Sequence, residues 1–291
     1  MSEQDYDTLV LPGGGLKGFC LLGAVQAAMD DGLLGKVKNY VGTSVGAILC
    51  YLLAIGYTPI EIMVTLYSNR WLERMQNYNL VAMINGNGAT SFINLQEALE
   101  KLTVNKIGQF LTLGKLRELF GKTLICVAYN MSICTTEYLG PDNYPDLPCI
   151  TALRMSSNIP LIFDRFKYMD QYYIDGGISD NFPIKKGEEI GEKIFGIYLQ
   201  ISEKSLQDNP EDGIVYYFLR LLQIPVVQST KYKVELAGTK CTIISVDTGE
   251  MKAAFEFDVK SKVRLDMFSN GYHAVQTFLT DRKEKSTLDS F

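Results

Sequence analysis

Three short motifs in this chain place small residues beside groups that can act in nucleophilic or acid–base chemistry. They are the glycine-rich segment Gly13–Gly18, the segment Gly42–Gly46 around Ser44, and Asp175–Gly177. A serine hydroxyl becomes an effective nucleophile when a neighbouring base takes its proton and nearby donors stabilise the oxyanion that forms. The motifs supply a candidate for each of these parts, so together they favour acyl-transfer chemistry.

The segment Gly13–Gly18 reads Gly-Gly-Gly-Leu-Lys-Gly between a predicted strand and a predicted helix. Glycines leave backbone N–H groups unshielded at a helix start, where an anion is stabilised. The spacing also fits G-x-G-x-x-G, but a dinucleotide site needs an acidic residue about 20 residues further on. The second strand ends instead in Gly-Thr-Ser-Val-Gly, which disfavours that interpretation. A simple tight turn is the other alternative for this loop on its own.

Ser44 lies in a G-x-S-x-G sequence between a predicted strand and a strongly apolar helix. The turn from strand to helix is too sharp for side chains at the flanking positions, which accounts for Gly42 and Gly46. It pushes the serine oxygen out above the sheet and leaves the next N–H, that of Val45, free to bind an oxyanion. Ser44 is therefore the predicted nucleophile.

Asp175 follows the predicted strand Gln171–Ile174 and is followed by two glycines. A carboxylate at a strand end can accept the serine proton, and the glycines leave room beside it. Taken alone, the motif is better explained by a plain Asp-Gly turn. The chain order Ser44, Asp175, His273 also fits an α/β-hydrolase triad. His273 falls on the polar face of the last predicted helix, which favours a solvated histidine.

The elements that must position these groups alternate β-rich runs with helical runs, and this order is typical of a parallel sheet covered by helices. Strands are predicted for Thr8–Leu11, Lys36–Val41, Lys122–Asn130, Gln171–Ile174, Lys193–Gln200 and Thr242–Val246. Helices are predicted for Leu16–Met29, from 47 to about Ile55, within 57–121, and for Cys149–Ser157, Gly213–Ile224 and Val259–Leu279. No segment has the composition of a linker, so one large domain is expected.

The predicted helix Gly213–Ile224 has an apolar stripe that includes Tyr217, Phe218, Leu221 and Leu222. Covering the sheet is the favoured use of such a stripe. Amphipathic helices of this kind also lie on bilayers, and that is the second interpretation.

Composition limits the classes of function that remain. The chain has 291 residues, of which 47% are hydrophobic and 21% charged, with a formal net charge of −5, so a globular protein is expected and a nucleic-acid binder is disfavoured. The acidic start lacks the pattern of a signal peptide, and no apolar run reaches the roughly 18 residues of a membrane span. We therefore expect a cytoplasmic protein. A zinc site is disfavoured because the six cysteines form no C-x-x-C pair and the chain has one histidine.

The three motifs in this order, each at a strand end, resemble those of the patatin-like phospholipases. The segments Ala152–Pro160 and Asp180–Pro183 are similar to the family's segments on either side of its aspartate. The resemblance covers residues 7–188 as the catalytic core, and we expect 189–291 to complete the same domain. It implies an α/β protein with a three-layer α/β/α fold and a mostly parallel central sheet, acting as a lipid acyl hydrolase.

The resemblance also implies residue roles. Ser44 would be the nucleophile, Asp175 the base, and the glycine loop the oxyanion hole, in which the donors are those of Gly13, Gly14, Gly15 and Val45. The remaining motif glycines are Gly18, Gly42, Gly46, Gly176 and Gly177. Lys17 has two interpretations, contact with a lipid phosphate or a solvated surface position.

No cofactor and no metal are expected, and the expected partner is a lipid or membrane surface that is bound peripherally. Phospholipid esters are the favoured substrates. A neutral-glyceride lipase, a general esterase and a non-catalytic lipid-binding module of the same fold are the alternatives.

Overall fold

The computed structural model describes residues 5–68, 79, 82–83, 85, 88–202, 207, 214–249 and 261–288. Its strands form one sheet: β1 Thr8–Leu11, β2 Asn39–Thr43, β3 Thr123–Asn130, β4 Thr135–Leu139, β5 Phe166–Tyr168, β6 Gln171–Asp175, β7 Ile194–Gln200 and β8 Cys241–Asp247. The helices in the described ranges are α1 Gly18–Asp30, α2 Val45–Ala54, α3 Pro59–Ser68, α4 Ile93–Ile107, α5 Leu113–Phe120, α6 Cys149–Ser156, α7 Gly177–Asp180, α8 Ile184–Ile190, α9 Ile214–Glu235 and α10 Ser261–Leu288.

The sheet has the order β5-β6-β3-β2-β1-β7-β8, and β4 also pairs with β3. The central pairs, from β3 through β2, β1 and β7 to β8, are parallel, whereas β4, β5 and β6 pair antiparallel at one side. The predicted α/β class is confirmed, with a sheet that is mixed at one edge. The sequence does not predict β4 or β5, because β4 is mostly half-buried without alternating faces and β5 has only three residues.

Helices cover both faces of the sheet, as the three-layer prediction requires. Along β1, Leu9 and Leu11 belong to the larger apolar core, while Val10 between them belongs to a second core. Successive side chains of a strand point to opposite faces, so each core fills the space between the sheet and one helical layer. The second core includes Phe182 and Ile184, at the start of α8.

From Ile214 onwards, the predicted helix Gly213–Ile224 is the first part of α9, which runs through Pro225 to Glu235, while Gly213 lies outside the described residues. The favoured prediction that its apolar stripe covers the sheet is wrong, because Phe218 and Leu221 are 51% and 43% exposed. The inner side of α9 carries Thr230, which is buried, so the stripe points away from the sheet.

Among the described residues, no single helix is long and apolar enough to cross a membrane. Helices α2 and α3 together satisfy the length and composition of a span, but they meet at an angle of 120°. Most of α2 is buried in the larger core.

Candidate active site

The sheet register brings Ser44 and Asp175 together. Thr43 at the end of β2 pairs with Val127 of β3, and Asp175 at the end of β6 pairs with the next residue, Ala128. Strand β4 pairs with both of these β3 residues, so it takes the opposite edge of β3. Strands β2 and β6 therefore approach each other end to end along one edge of β3. The residues at and just after the carboxyl ends of β2 and β6 must therefore meet there.

Ser44 adopts a backbone conformation that is rare for a residue with a side chain, with φ 54° and ψ −125°. The chain turns here from β2 directly into α2 and passes close to its own backbone. A Cβ on Gly42 would lie 2.6 Å from the carbonyl oxygen of Gly46, and a Cβ on Gly46 would lie 2.4 Å from that of Leu11. Only glycine fits at either flank, as a strand–serine–helix turn demands.

The serine hydroxyl and the carboxylate form a direct, buried contact. Ser44 Oγ donates to Asp175 Oδ2 at 2.5 Å, and the backbone N–H of Gly177 donates to Asp175 Oδ1 at 2.7 Å. Burial raises the pKa of Asp175 from 3.8 to about 6, although both hydrogen bonds act in the opposite direction. The carboxylate is therefore a stronger base than an ordinary aspartate.

Two residues at or just after the end of α6, Ser156 and Asn158, hold both members of this pair, a role that none of the three motifs predicts. Ser156 Oγ accepts the N–H of Ser44 at 3.0 Å, and the carbonyl of Asn158 accepts the N–H of Asp175 at 2.9 Å. The carbonyl of Ser156 also accepts the N–H of Gly176 at 3.3 Å. The one signal in the sequence is the run of small polar residues that ends an otherwise apolar helix.

The glycine loop lies beside Ser44, and its N–H groups differ in their bonding. The N–H of Gly13 donates to the carbonyl of Asn181 at 3.0 Å, and the Asn181 amide donates back to the carbonyl of Gly13 at 3.3 Å. Within the described ranges, the N–H groups of Gly14, Gly15 and Val45 have no acceptor. Each of these last three groups is therefore available to a ligand.

Lys17 is only 2% exposed, so the interpretation as a solvated surface lysine is wrong. Burial lowers the pKa of its ammonium group to about 8, and nearby Cys20 acts in the opposite direction. Within the described parts of the chain Lys17 has no ion-pair partner. It lines the same cavity as Ser44 and Asp175, where it places a largely protonated amine at neutral pH.

Ser44 lies in the wall of two cavities. The first, of about 120 Å³, is lined by the glycine loop, Lys17, Asp175 and residues of α9 such as Leu222. The second, of about 130 Å³, is almost wholly apolar and is lined by side chains of α1, α2, α3 and α4. One side of the nucleophile thus faces a partly polar cleft and the other faces an apolar pocket.

His273 is exposed on α10 and stacks edge-on against Tyr272. It lines neither cavity, and Ser44 contacts Asp175 with no imidazole between them. The geometry therefore disfavours the Ser44-Asp175-His273 alternative.

The fold and the site together define an α/β protein with a serine at a strand–helix turn and an aspartate at a converging strand. The family model for patatin-like phospholipases matches residues 9–186. The chain belongs to the patatin-like phospholipase family.

Similar proteins come from viruses and bacteria. The chain is 35% identical over 190 residues to the probable lipid hydrolase 463L of Invertebrate iridescent virus 6, covering 63% of this chain and 64% of that protein. It is 29% identical over 199 residues to the uncharacterized protein YqhO of Bacillus subtilis (strain 168), covering 60% and 64%. The chain thus spans slightly less than two thirds of these relatives. In fold it is similar to VipD from Legionella pneumophila, with a TM-score of 0.59, 19% identity, and coverage of 95% of this chain and 67% of VipD.

Proposed function

We propose that this chain is a lipid acyl hydrolase that cleaves fatty-acyl esters of phospholipids through a Ser44–Asp175 dyad. The observation that carries the proposal is the 2.5 Å hydrogen bond between the two side chains, in a wall shared by two cavities. Membership of a phospholipase family and the similarity to a probable lipid hydrolase support a lipid ester as the substrate.

In the proposed mechanism, Ser44 Oγ attacks the ester carbonyl carbon while its proton moves to Asp175. The oxyanion accepts hydrogen bonds from the N–H groups of Gly14, Gly15 and Val45. Gly13 is not proposed as a donor, because its N–H already binds the carbonyl of Asn181. Losing one such donor typically raises the barrier by about 2.7–4 kcal/mol.

Collapse of the tetrahedral intermediate breaks the bond to the leaving alkoxide oxygen, which takes the proton from Asp175. The products of this step are a lysolipid and an acyl ester of Ser44. Water then attacks the acyl carbon while Asp175 accepts a proton from it. The second collapse releases the fatty acid and returns the proton to Ser44 Oγ.

The two cavities suit the two parts of a phospholipid. The apolar pocket fits an acyl chain, because its wall offers almost no polar surface. The partly polar cleft fits the glycerol and head group, and there the ammonium group of Lys17 supplies a positive charge for the phosphate. Lys17 is accordingly proposed as the phosphate contact.

Lipid mass spectrometry of phosphatidylcholine vesicles, triolein and a soluble butyrate ester tests the proposal. We expect fatty acid and lysolipid from the vesicles at the highest rate, unchanged by EDTA because no proposed step uses a metal, and no product with Ser44→Ala. Faster turnover of triolein or of butyrate would replace the phospholipase by a neutral lipase or an esterase. Failure of the wild-type protein on all three would leave a non-catalytic lipid-binding module.

A further inference from the structure

The first half of helix α9 presents a group of large apolar side chains to solvent. They are 42% to 51% exposed, and we call them the α9 apolar face: Tyr217, Phe218, Leu221, Leu222 and Ile224. Single exposed apolar residues are ordinary on protein surfaces, whereas a cluster within two turns of one helix marks an interaction site.

The topology places this face at the same edge of the sheet as Ser44. Strands β7 and β8 are parallel neighbours, so α9 between them starts at the carboxyl end of the sheet and runs towards the amino end. Ser44 follows the carboxyl end of β2, which is parallel to both through β1. The first half of α9 and the nucleophile therefore share one edge of the molecule.

The face is continuous with the cleft that reaches the dyad. Leu222 is 42% exposed and also lines that cleft. The next residue, Gln223, and Val226, one helical turn after Leu222, line the cleft as well. When a lipid surface contacts the α9 apolar face, an acyl ester that leaves this surface meets the entrance of the cleft. A protein seated on the same side chains would instead cover that entrance.

The charges of α9 also fit a lipid surface. Its basic residues are Arg220, Lys231 and Lys233, of which Lys233 pairs with the buried Asp180 inside the protein, and the only acidic residue within the helix is Glu235, its last residue. The chain as a whole carries a net charge of −5, so this helix departs from the general acidity. Exposed apolar side chains accompanied by basic residues of the same helix are typical of helices that lie in a lipid interface.

We propose that the α9 apolar face docks the protein on the surface of a lipid aggregate and holds the entrance of the cleft against that surface. This inference rests on the proposed function. Binding comes mainly from burial of these side chains among the lipids. Anionic lipid adds a smaller contribution, which salt screens.

The test compares two double variants that each remove two exposed apolar side chains. Phe218→Ser with Leu221→Ser changes the α9 apolar face at positions that line neither cavity. Leu119→Ser with Phe120→Ser is the matched control, because these residues of α5 are 54% and 36% exposed and precede the amino end of β3, at the opposite edge of the sheet.

Binding is measured by flotation with phosphatidylcholine vesicles, with and without phosphatidylserine, using Ser44→Ala protein so that the lipid stays intact. Hydrolysis of vesicles and of a soluble butyrate ester is measured with Ser44 present. We expect the α9 variant to lose about tenfold or more in vesicle binding and hydrolysis, to retain butyrate turnover, and the α5 control to match the unmodified protein.

Equal loss in both variants, or full vesicle binding by the α9 variant, would overturn the docking proposal. So would light scattering that shows a lipid-free dimer which the α9 variant breaks, since a second copy would then occupy the face. Failure of the proposed function would give a different result from failure of the docking proposal. The protein would then bind vesicles through the α9 apolar face, but the protein that retains Ser44 would cleave no ester.

Discussion

At the scale of single residues, the chemistry depends on how Asp175 is made basic. An ordinary aspartate is a poor acceptor for a serine proton, because its pKa lies far below neutral. Here burial raises the pKa to about 6, while the Ser44 hydroxyl and the Gly177 N–H keep the carboxylate hydrogen-bonded. A base with a pKa near the working pH holds a serine proton more readily in the transition state.

The proposed role of Asp175 as a base predicts a pH profile. The base must be ionised, so kcat/KM for a soluble ester should fall below about pH 6 and level off above it. A pH–rate titration of the wild-type protein checks this. An inflection near pH 4 would show that the carboxylate titrates as if it were exposed.

The same burial predicts that Asp175→Asn removes activity but stabilises the fold. Because the folded pKa lies above the ordinary 3.8, keeping the carboxylate ionised costs the native state on the order of 3 kcal/mol above pH 6, and the cost disappears below about pH 4. Thermal unfolding of the wild-type protein and of Asp175→Asn at pH 8 and at about pH 4 checks the sign of this effect. A variant that is less stable than wild type at pH 8 would contradict it.

At the scale of elements, the end of α6 acts as a brace for two separate turns. Ser156 fixes the turn at Ser44 and, with Asn158, fixes the end of β6 at Asp175. A nucleophile and a base must keep their separation within a fraction of an ångström, and here a third segment holds them through the Ser156 hydroxyl and two backbone carbonyls. Ser156 is a positioning residue, because it touches no reacting atom.

Ser156→Ala should lower kcat about tenfold with little change in KM, and should cost about 1–3 kcal/mol of stability, because it leaves the buried N–H of Ser44 without an acceptor. Ser157→Ala is a matched control, since the neighbouring Ser157 hydroxyl is buried and has no partner in the described part of the chain. Steady-state kinetics and thermal unfolding compare the two. Equal losses in stability would contradict the role given to Ser156.

Some of this arrangement could be predicted from the sequence and some could not. The turns at Ser44 and Asp175 carry local signals, namely glycines at the ends of β-rich runs, so both residues could be singled out. The roles of Ser156 and Asn181 come from backbone contacts with segments far away in the chain, and no local pattern encodes them. An apolar stripe likewise predicts a helix face but does not show what covers it, which is why the prediction for α9 failed.

At the scale of the whole molecule, the last helix packs on the first at the distance of backbone contact. A Cβ on Gly271 of α10 would lie 1.9 Å from the carbonyl oxygen of Cys20, and a Cβ on Gly23 of α1 would lie 1.9 Å from that of Phe268. Helix α1 begins directly after the glycine loop, so α10 supports the helix that follows the proposed oxyanion donors Gly14 and Gly15. This packing supports the proposal that residues 189–291 complete the domain of residues 7–188.

Gly271→Ala should therefore lower the free energy of unfolding by about 1–3 kcal/mol, because the added methyl group forces the two helices apart. Helix propensity alone would predict a gain of about 1 kcal/mol for the same change. Ser269→Ala, at an exposed position of the same helix, is the control that shows only the propensity effect. A stabilised Gly271→Ala protein would show that the close packing of α1 and α10 is not required.

The central claim is that Ser44 forms a covalent acyl intermediate after Asp175 takes its proton. Labelling with a fluorophosphonate, followed by peptide mass spectrometry, tests it most directly, because the reagent reports which hydroxyl is activated. We expect one adduct, on the peptide that contains Ser44, with none in Ser44→Ala and very slow labelling in Asp175→Asn, while His273→Ala labels at the wild-type rate. An adduct on a different residue, or undiminished labelling of the Ser44→Ala protein, would contradict the account.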